Sequence, residues 1–77
     1  ILAFERAVAN LPSYAPAHAG LANAYLLRFE TTRFSNTPDR DMLERALTAA
    51  RRACAADPKL GEGWAVLGYL LSAAGQV

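Results

Sequence analysis

A chain of 77 residues has room for one domain and excludes a second independent one. Apolar residues make up 53% of it, which excludes a disordered tail, and the charge is nearly balanced, with 8 basic against 7 acidic side chains and no basic stripe of the kind a nucleic-acid binder shows. One His and one Cys cannot build a disulfide framework or a metal cage, and no apolar run approaches the roughly 20 residues needed to span a bilayer.

Much of the apolar fraction is alanine, a strong helix former that fills little volume and lets helix backbones approach closely. Stacked helices are therefore expected, and a sheet core is not. Ile1 is not a starting Met and falls inside a helical pattern, so we expect a piece of a longer protein, with the cytoplasm as the default compartment.

The first helix is predicted over residues 1 to about 11, on the spacing of Leu2 or Ala3, Phe4, Ala7, Val8 and Leu11, and is ended by Pro12-Ser13. A second begins near Ala15, with Pro16 in its first turn, where a missing N–H costs nothing. Its stripe is His18, Leu21, Ala22, Tyr25 and Phe29, and fraying is expected between Thr31 and Ser35. The third has the clearest start: Thr37 as cap, Pro38 in the first position, and Asp39 and Asp41 in the positive first turn. Its stripe runs Leu43, Ala46, Leu47, Ala50, Ala53 and Cys54, and Asp57-Pro58 stops it. The fourth starts near Leu60 or Gly61, carries Trp64, Leu67, Gly68 and Leu71 on its stripe, and ends at Gly75. Glycine costs a helix roughly 1 kcal/mol relative to alanine, so Gly68 is expected to mark a close helix contact.

The chain repeats itself. A shift of 46 residues carries Pro12 onto Pro58, Ala3 onto Ala49, Arg6 onto Arg52, Ala7 onto Ala53, His18 onto Trp64, Leu21 onto Leu67 and Tyr25 onto Leu71. The unit is a helix, a proline-containing turn and a second helix, and such units bury their faces by stacking. Trp64, Leu67, Gly68 and Leu71 resemble the first-helix portion of the tetratricopeptide repeat pattern and Ala46, Ala50, Ala53 and Pro58 its second-helix portion, and Phe4, Ala7 and Pro12 with His18, Leu21, Ala22 and Tyr25 resemble the earlier copies. The period of 46 is longer than the family's unit of about 34, the excess lying near residues 29–40, and His18 stands where a tryptophan is usual. The long connection and the alanine- and arginine-rich second helix also resemble repeats attached to bacterial signalling and transcription regulators.

The resemblance implies an all-α fold: antiparallel helix hairpins stacked as a fragment of an α-solenoid. Residues 1–12 would be the trailing helix of one repeat, 15–58 a long repeat with its insertion near 29–40, and 60–77 the leading helix of the next. It also implies a concave groove lined by the leading helices. Pro16, Ala19, Asn23, Leu26 and Leu27 would face it from one copy, and Glu62, Ala65, Tyr69, Ser72 and Ala73 from the next. The partner-binding set is then Asn23, Leu26, Leu27, Glu62, Tyr69 and Ser72, taking an extended or helical peptide. Some members grip a C-terminal carboxylate with lysine and asparagine. Asn23 matches one such position, but Ala19 and Val66 stand at two others, so carboxylate capture is not expected.

Other candidates have plainer readings. His18 could be a base or ligand, but it has no carboxylate or Cys at ligand spacing and occupies a packing position. Cys54 lies on an apolar stripe and reads as a small buried hydrophobe. Asp39 and Asp41 point to different faces and compensate the helix dipole. Phe4, Tyr25 and Trp64 read as core. Gly61-Glu62-Gly63 lacks the strand and the Lys-Ser/Thr of a phosphate loop. Arg6, Arg51 and Arg52 read as a solvated face, and Phe29, Arg33 and Phe34 as either a contact surface or a cover for a neighbouring core. We therefore expect a scaffold that binds a protein or peptide, with no enzyme activity, cofactor, nucleic-acid binding or membrane insertion. The alternatives are a regulatory segment of a signalling enzyme or transcription regulator, and a self-associating module in which Ala73, Ala74 and Val77 lie open.

Overall fold

The computed structural model describes residues 2–32 and 40–75 and is all-helical over them. The helices are α1 (Leu2–Asn10), α2 (Ala15–Glu30), α3 (Arg40–Ala56) and α4 (Gly61–Gly75). The helix start expected at Thr37, Pro38 and Asp39 lies outside the described residues, as do Arg33, Phe34 and Val77.

α2 opens behind Tyr14, which is extended at φ −83° and ψ 95°, and Pro16 sits in the first turn. It ends at Glu30. There the Thr31 hydroxyl donates to the Arg28 carbonyl at 2.7 Å and the Thr32 hydroxyl to the Phe29 carbonyl at 3.0 Å. Side chains thus satisfy carbonyls that the last helical turn leaves without intrahelical donors.

The 46-residue repeat is present in the hydrogen bonds themselves. At the first turn Leu11 N–H bonds the Ala7 carbonyl, Tyr14 N–H that of Leu11, and Ala17 N–H that of Tyr14, at 2.8, 2.9 and 3.1 Å. At the second, Asp57, Leu60 and Gly63 bond Ala53, Asp57 and Leu60 at 3.0, 3.1 and 3.1 Å. His18 Nε2 lies 2.7 Å from the Pro12 carbonyl, and Trp64 Nε1 donates to the Pro58 carbonyl at the same 2.7 Å. Two different side chains thus perform one local task, tying the second helix of a hairpin to the proline before it.

α2 is the central element and packs against α1, α3 and α4, while α3 also packs on α4. Its stripe of His18, Leu21, Ala22, Tyr25 and Phe29 is buried as expected, and Ala15, Ala17, Ala19 and Leu26 are buried too because neighbours cover it on several sides. On α3 the buried set is Leu43, Ala46, Ala49, Ala50, Ala53 and Cys54; Leu47 is half-buried. The Cα envelope measures 37 × 24 × 13 Å. A thickness near 13 Å is what two helices stacked about 9 Å apart would give.

Four expectations are corrected. α1 buries nothing: Ala7 and Val8 are half-buried, while Leu2, Phe4 and Leu11 are exposed, because α1 packs against α2 alone. On α4 the covered face is Gly63, Leu67, Leu70 and Ala73, so of the expected stripe only Leu67 is inside. Trp64 is 52% and Leu71 49% exposed, and a Cβ at Gly68 would meet nothing within 4 Å, so no close contact occurs there. Ala73, expected to lie open, is buried and Ala74 half-buried. The close approach is instead at Gly20, where a Cβ would overlap the Phe4 ring.

Candidate interaction groove

α2 and α4 enclose an open hollow of about 350 Å³, lined by Ala19, Asn23 and Leu26 from one helix and Glu62, Ala65, Val66 and Tyr69 from the other. Helical geometry explains the lining. A step of about 100° per residue keeps Ala19, Asn23 and Leu26 within a narrow arc, and does the same for Glu62, Val66 and Tyr69. Ala19 and Leu26 are buried and form the floor, while Asn23, Glu62, Ala65 and Tyr69 are exposed and form the walls. At one end the Tyr69 hydroxyl donates to a Glu30 carboxylate oxygen at 2.7 Å, tying α4 to the last turn of α2.

Four of the six residues expected to contact a partner come together here: Asn23, Leu26, Glu62 and Tyr69. Leu26 is a floor residue, buried to 8% exposure, and offers little free surface. Leu27 and Ser72 are exposed but do not line the hollow. Each stands about 80° around its helix from the first lining residue, Ala19 or Glu62, which carries it past the rim. Glu30 was not among the residues expected at the groove, and Val66 entered only as the occupant of a carboxylate-clamp position. Val66 was within reach of helical spacing, four residues after Glu62, whereas Glu30 enters through a bond to Tyr69, 39 residues away.

The hollow is chemically simple. Its lining holds one carboxylate, one carboxamide and one phenol, with no cationic side chain. Two further hollows flank His18. One of about 450 Å³ lies between α2 and α3 and is bordered by Asp41, Glu44, Arg45 and Arg52; the other, about 570 Å³, borders Val8, Pro12, Ser13 and Arg52. His18 itself is 4% exposed, and with Nε2 donating to Pro12 its Nδ1 is a buried acceptor with no partner. Cys54 is buried and free. Among the described residues no group of three or more His, Cys, Asp or Glu could hold a metal ion, and no helix is long and apolar enough to cross a membrane. In comparison with known proteins, no family model, no curated protein and no solved structure matches the chain.

Proposed function

We propose that the chain is a tetratricopeptide-type scaffold segment that binds a protein or peptide in the hollow between α2 and α4. The observation that supports this is the placing of Asn23, Glu62, Ala65 and Tyr69 as exposed walls over a floor of Ala19 and Leu26. Small and apolar groups below let a peptide backbone come close, the Asn23 carboxamide can both donate to and accept from that backbone, and Tyr69 adds rigid apolar area. The repeated hairpin, with its duplicated turn bonds, supports the repeat-type reading.

The lining also selects a chemistry. Glu62 in the wall and Glu30 at the Tyr69 end make the hollow acidic, so a peptide with a lysine or arginine is favoured over one ending in a free carboxylate. The test is selection of binding peptides from a random displayed library on the intact chain. Selected sequences should carry a basic residue, and binding should fall at least about tenfold in Asn23→Ala and Tyr69→Ala while Arg51→Ala, on the solvated face of α3, leaves it unchanged. Peptides that bind Asn23→Ala and Tyr69→Ala as well as the parent chain would place recognition elsewhere.

A further inference from the structure

The hollow of about 450 Å³ between α2 and α3 differs in kind from the one beside α4, because its rim is charged. Arg52 and His18 border this hollow and also the neighbouring one at Pro12, so the C-terminal half of α3 lies beside the N-terminal half of α2. α3 sets its polar groups along the hollow in order: Asp41 and Glu44 at one end, then Arg45, Thr48 in the middle, and Arg52 at the other end. At about 1.5 Å per residue, Glu44 and Arg52 stand about 12 Å apart along the helix.

These groups are not spent on one another. Asp41 and Arg45 are one helical turn apart, a spacing at which opposite charges commonly pair. Among the described residues, neither they nor Glu44 and Arg52 form an ion pair. Across from them α2 contributes Tyr25, which is 8% exposed. A buried tyrosine as a rule keeps its hydroxyl on a partner. Here no described residue bonds it. Among the described residues His18 Nδ1 is the one fully enclosed side-chain polar atom without a partner, so the Tyr25 hydroxyl opens into the hollow that Tyr25 lines. The lining also separates this hollow from a surface awaiting another helix, since an apolar segment laid over it would strand four ions out of water.

We propose that the hollow between α2 and α3 binds a small zwitterion about three peptide units long, with its ammonium on Asp41 and Glu44, its carboxylate on Arg52 and its polar middle on Tyr25 and Thr48. Opposite charges at the two ends set both the class of ligand and its direction. Three extended residues reach about 10 Å, which matches the separation of the ends, and about 450 Å³ is the size of a small-molecule pocket. The Arg52 guanidinium suits a carboxylate through two parallel N–H bonds. A hydroxyl donates and accepts, so Tyr25 and Thr48 serve either group of a peptide bond. The site shares no lining residue with the groove between α2 and α4.

The probe is triglycine, titrated into the isotope-labelled chain and followed by amide and arginine side-chain chemical shifts. The expected result is saturable binding with Kd below about 10 mM and shifts centred on Tyr25, Thr48 and Arg52. N-acetyl-triglycine, triglycine amide and free glycine each lack one charged end or the span, and each should bind at least about tenfold more weakly. Arg52→Gln should weaken triglycine at least about tenfold yet leave triglycine amide unchanged, a split that loss of fold would not give. Asn23→Ala, in the other hollow, should leave triglycine binding as it was. No saturable shift up to about 50 mM triglycine, or equal affinity for the blocked forms, overturns the proposal. The same shifts produced by ammonium acetate, as charge screening alone would give, overturn it too, as do shifts centred on Asn23 and Tyr69.

Discussion

His18 and Trp64 show how one register position acquires two energetic roles. Both tie to a proline carbonyl at 2.7 Å, yet His18 is 4% exposed and Trp64 52%. The loss on truncation follows burial more than ring size. His18→Ala should therefore destabilise the chain by about 2–3 kcal/mol, combining a cavity with a lost hydrogen bond, and Trp64→Ala by less than about 1.5 kcal/mol. Urea unfolding followed by circular dichroism measures both, and a larger loss at Trp64 would contradict the burial pattern. Phe29, fully buried at the end of α2, should be costlier still, at about 3–5 kcal/mol for Phe29→Ala. The sequence placed His18 and Trp64 in register correctly. It could not tell their burial apart, because periodicity reports which face a residue is on and not what covers that face. The same reason explains Leu71 and Gly68.

At the scale of single helices, the boundaries were the most legible feature. Pro16 opens α2 and Gly61 opens α4 where expected, since proline and glycine act through backbone sterics that need no tertiary partner. The α1 stripe was legible as a pattern but not as a weak one. Nine residues that touch only α2 cannot bury much, whatever their spacing. α1 should accordingly open first: its amides should exchange well before those of α2 and α3, and Phe4→Ala, which removes the ring seated on Gly20, should abolish their protection while sparing the rest. Hydrogen exchange read by mass spectrometry or NMR decides this, and equal protection of α1 and α3 would refute it. Gly63 makes the opposite case. A Cβ there would meet Ala53 Cβ at 3.4 Å and Cys54 Sγ at 3.6 Å, ordinary contacts, and the repeat already holds Ala17 at the matching position. Gly63→Ala should stabilise the chain by about 0.5–1 kcal/mol in the same unfolding assay.

On the scale of the whole molecule, the hairpins α1–α2 and α3–α4 pack together through α2, and among the described residues that packing leaves a hollow between α2 and α4 and a bare face on α4. The all-helical class followed from alanine content and spacing, and the doubled hairpin from the 46-residue shift. Asn23, Leu26, Glu62 and Tyr69 followed from the family resemblance, which implies a groove lined by the leading helices, while the Glu30 contact depends on a bond between residues 39 apart that no local pattern reveals. Because the walls of the hollow are solvent-exposed, Asn23→Ala should change stability by no more than about 0.5 kcal/mol, which separates loss of binding from loss of fold. Amide chemical-shift mapping of a selected peptide on the isotope-labelled chain tests the groove most directly. Shifts are expected to concentrate at Asn23, Ala65, Val66 and Tyr69. Shifts confined to α1, or to the outer face of α3 around Arg51, would contradict it.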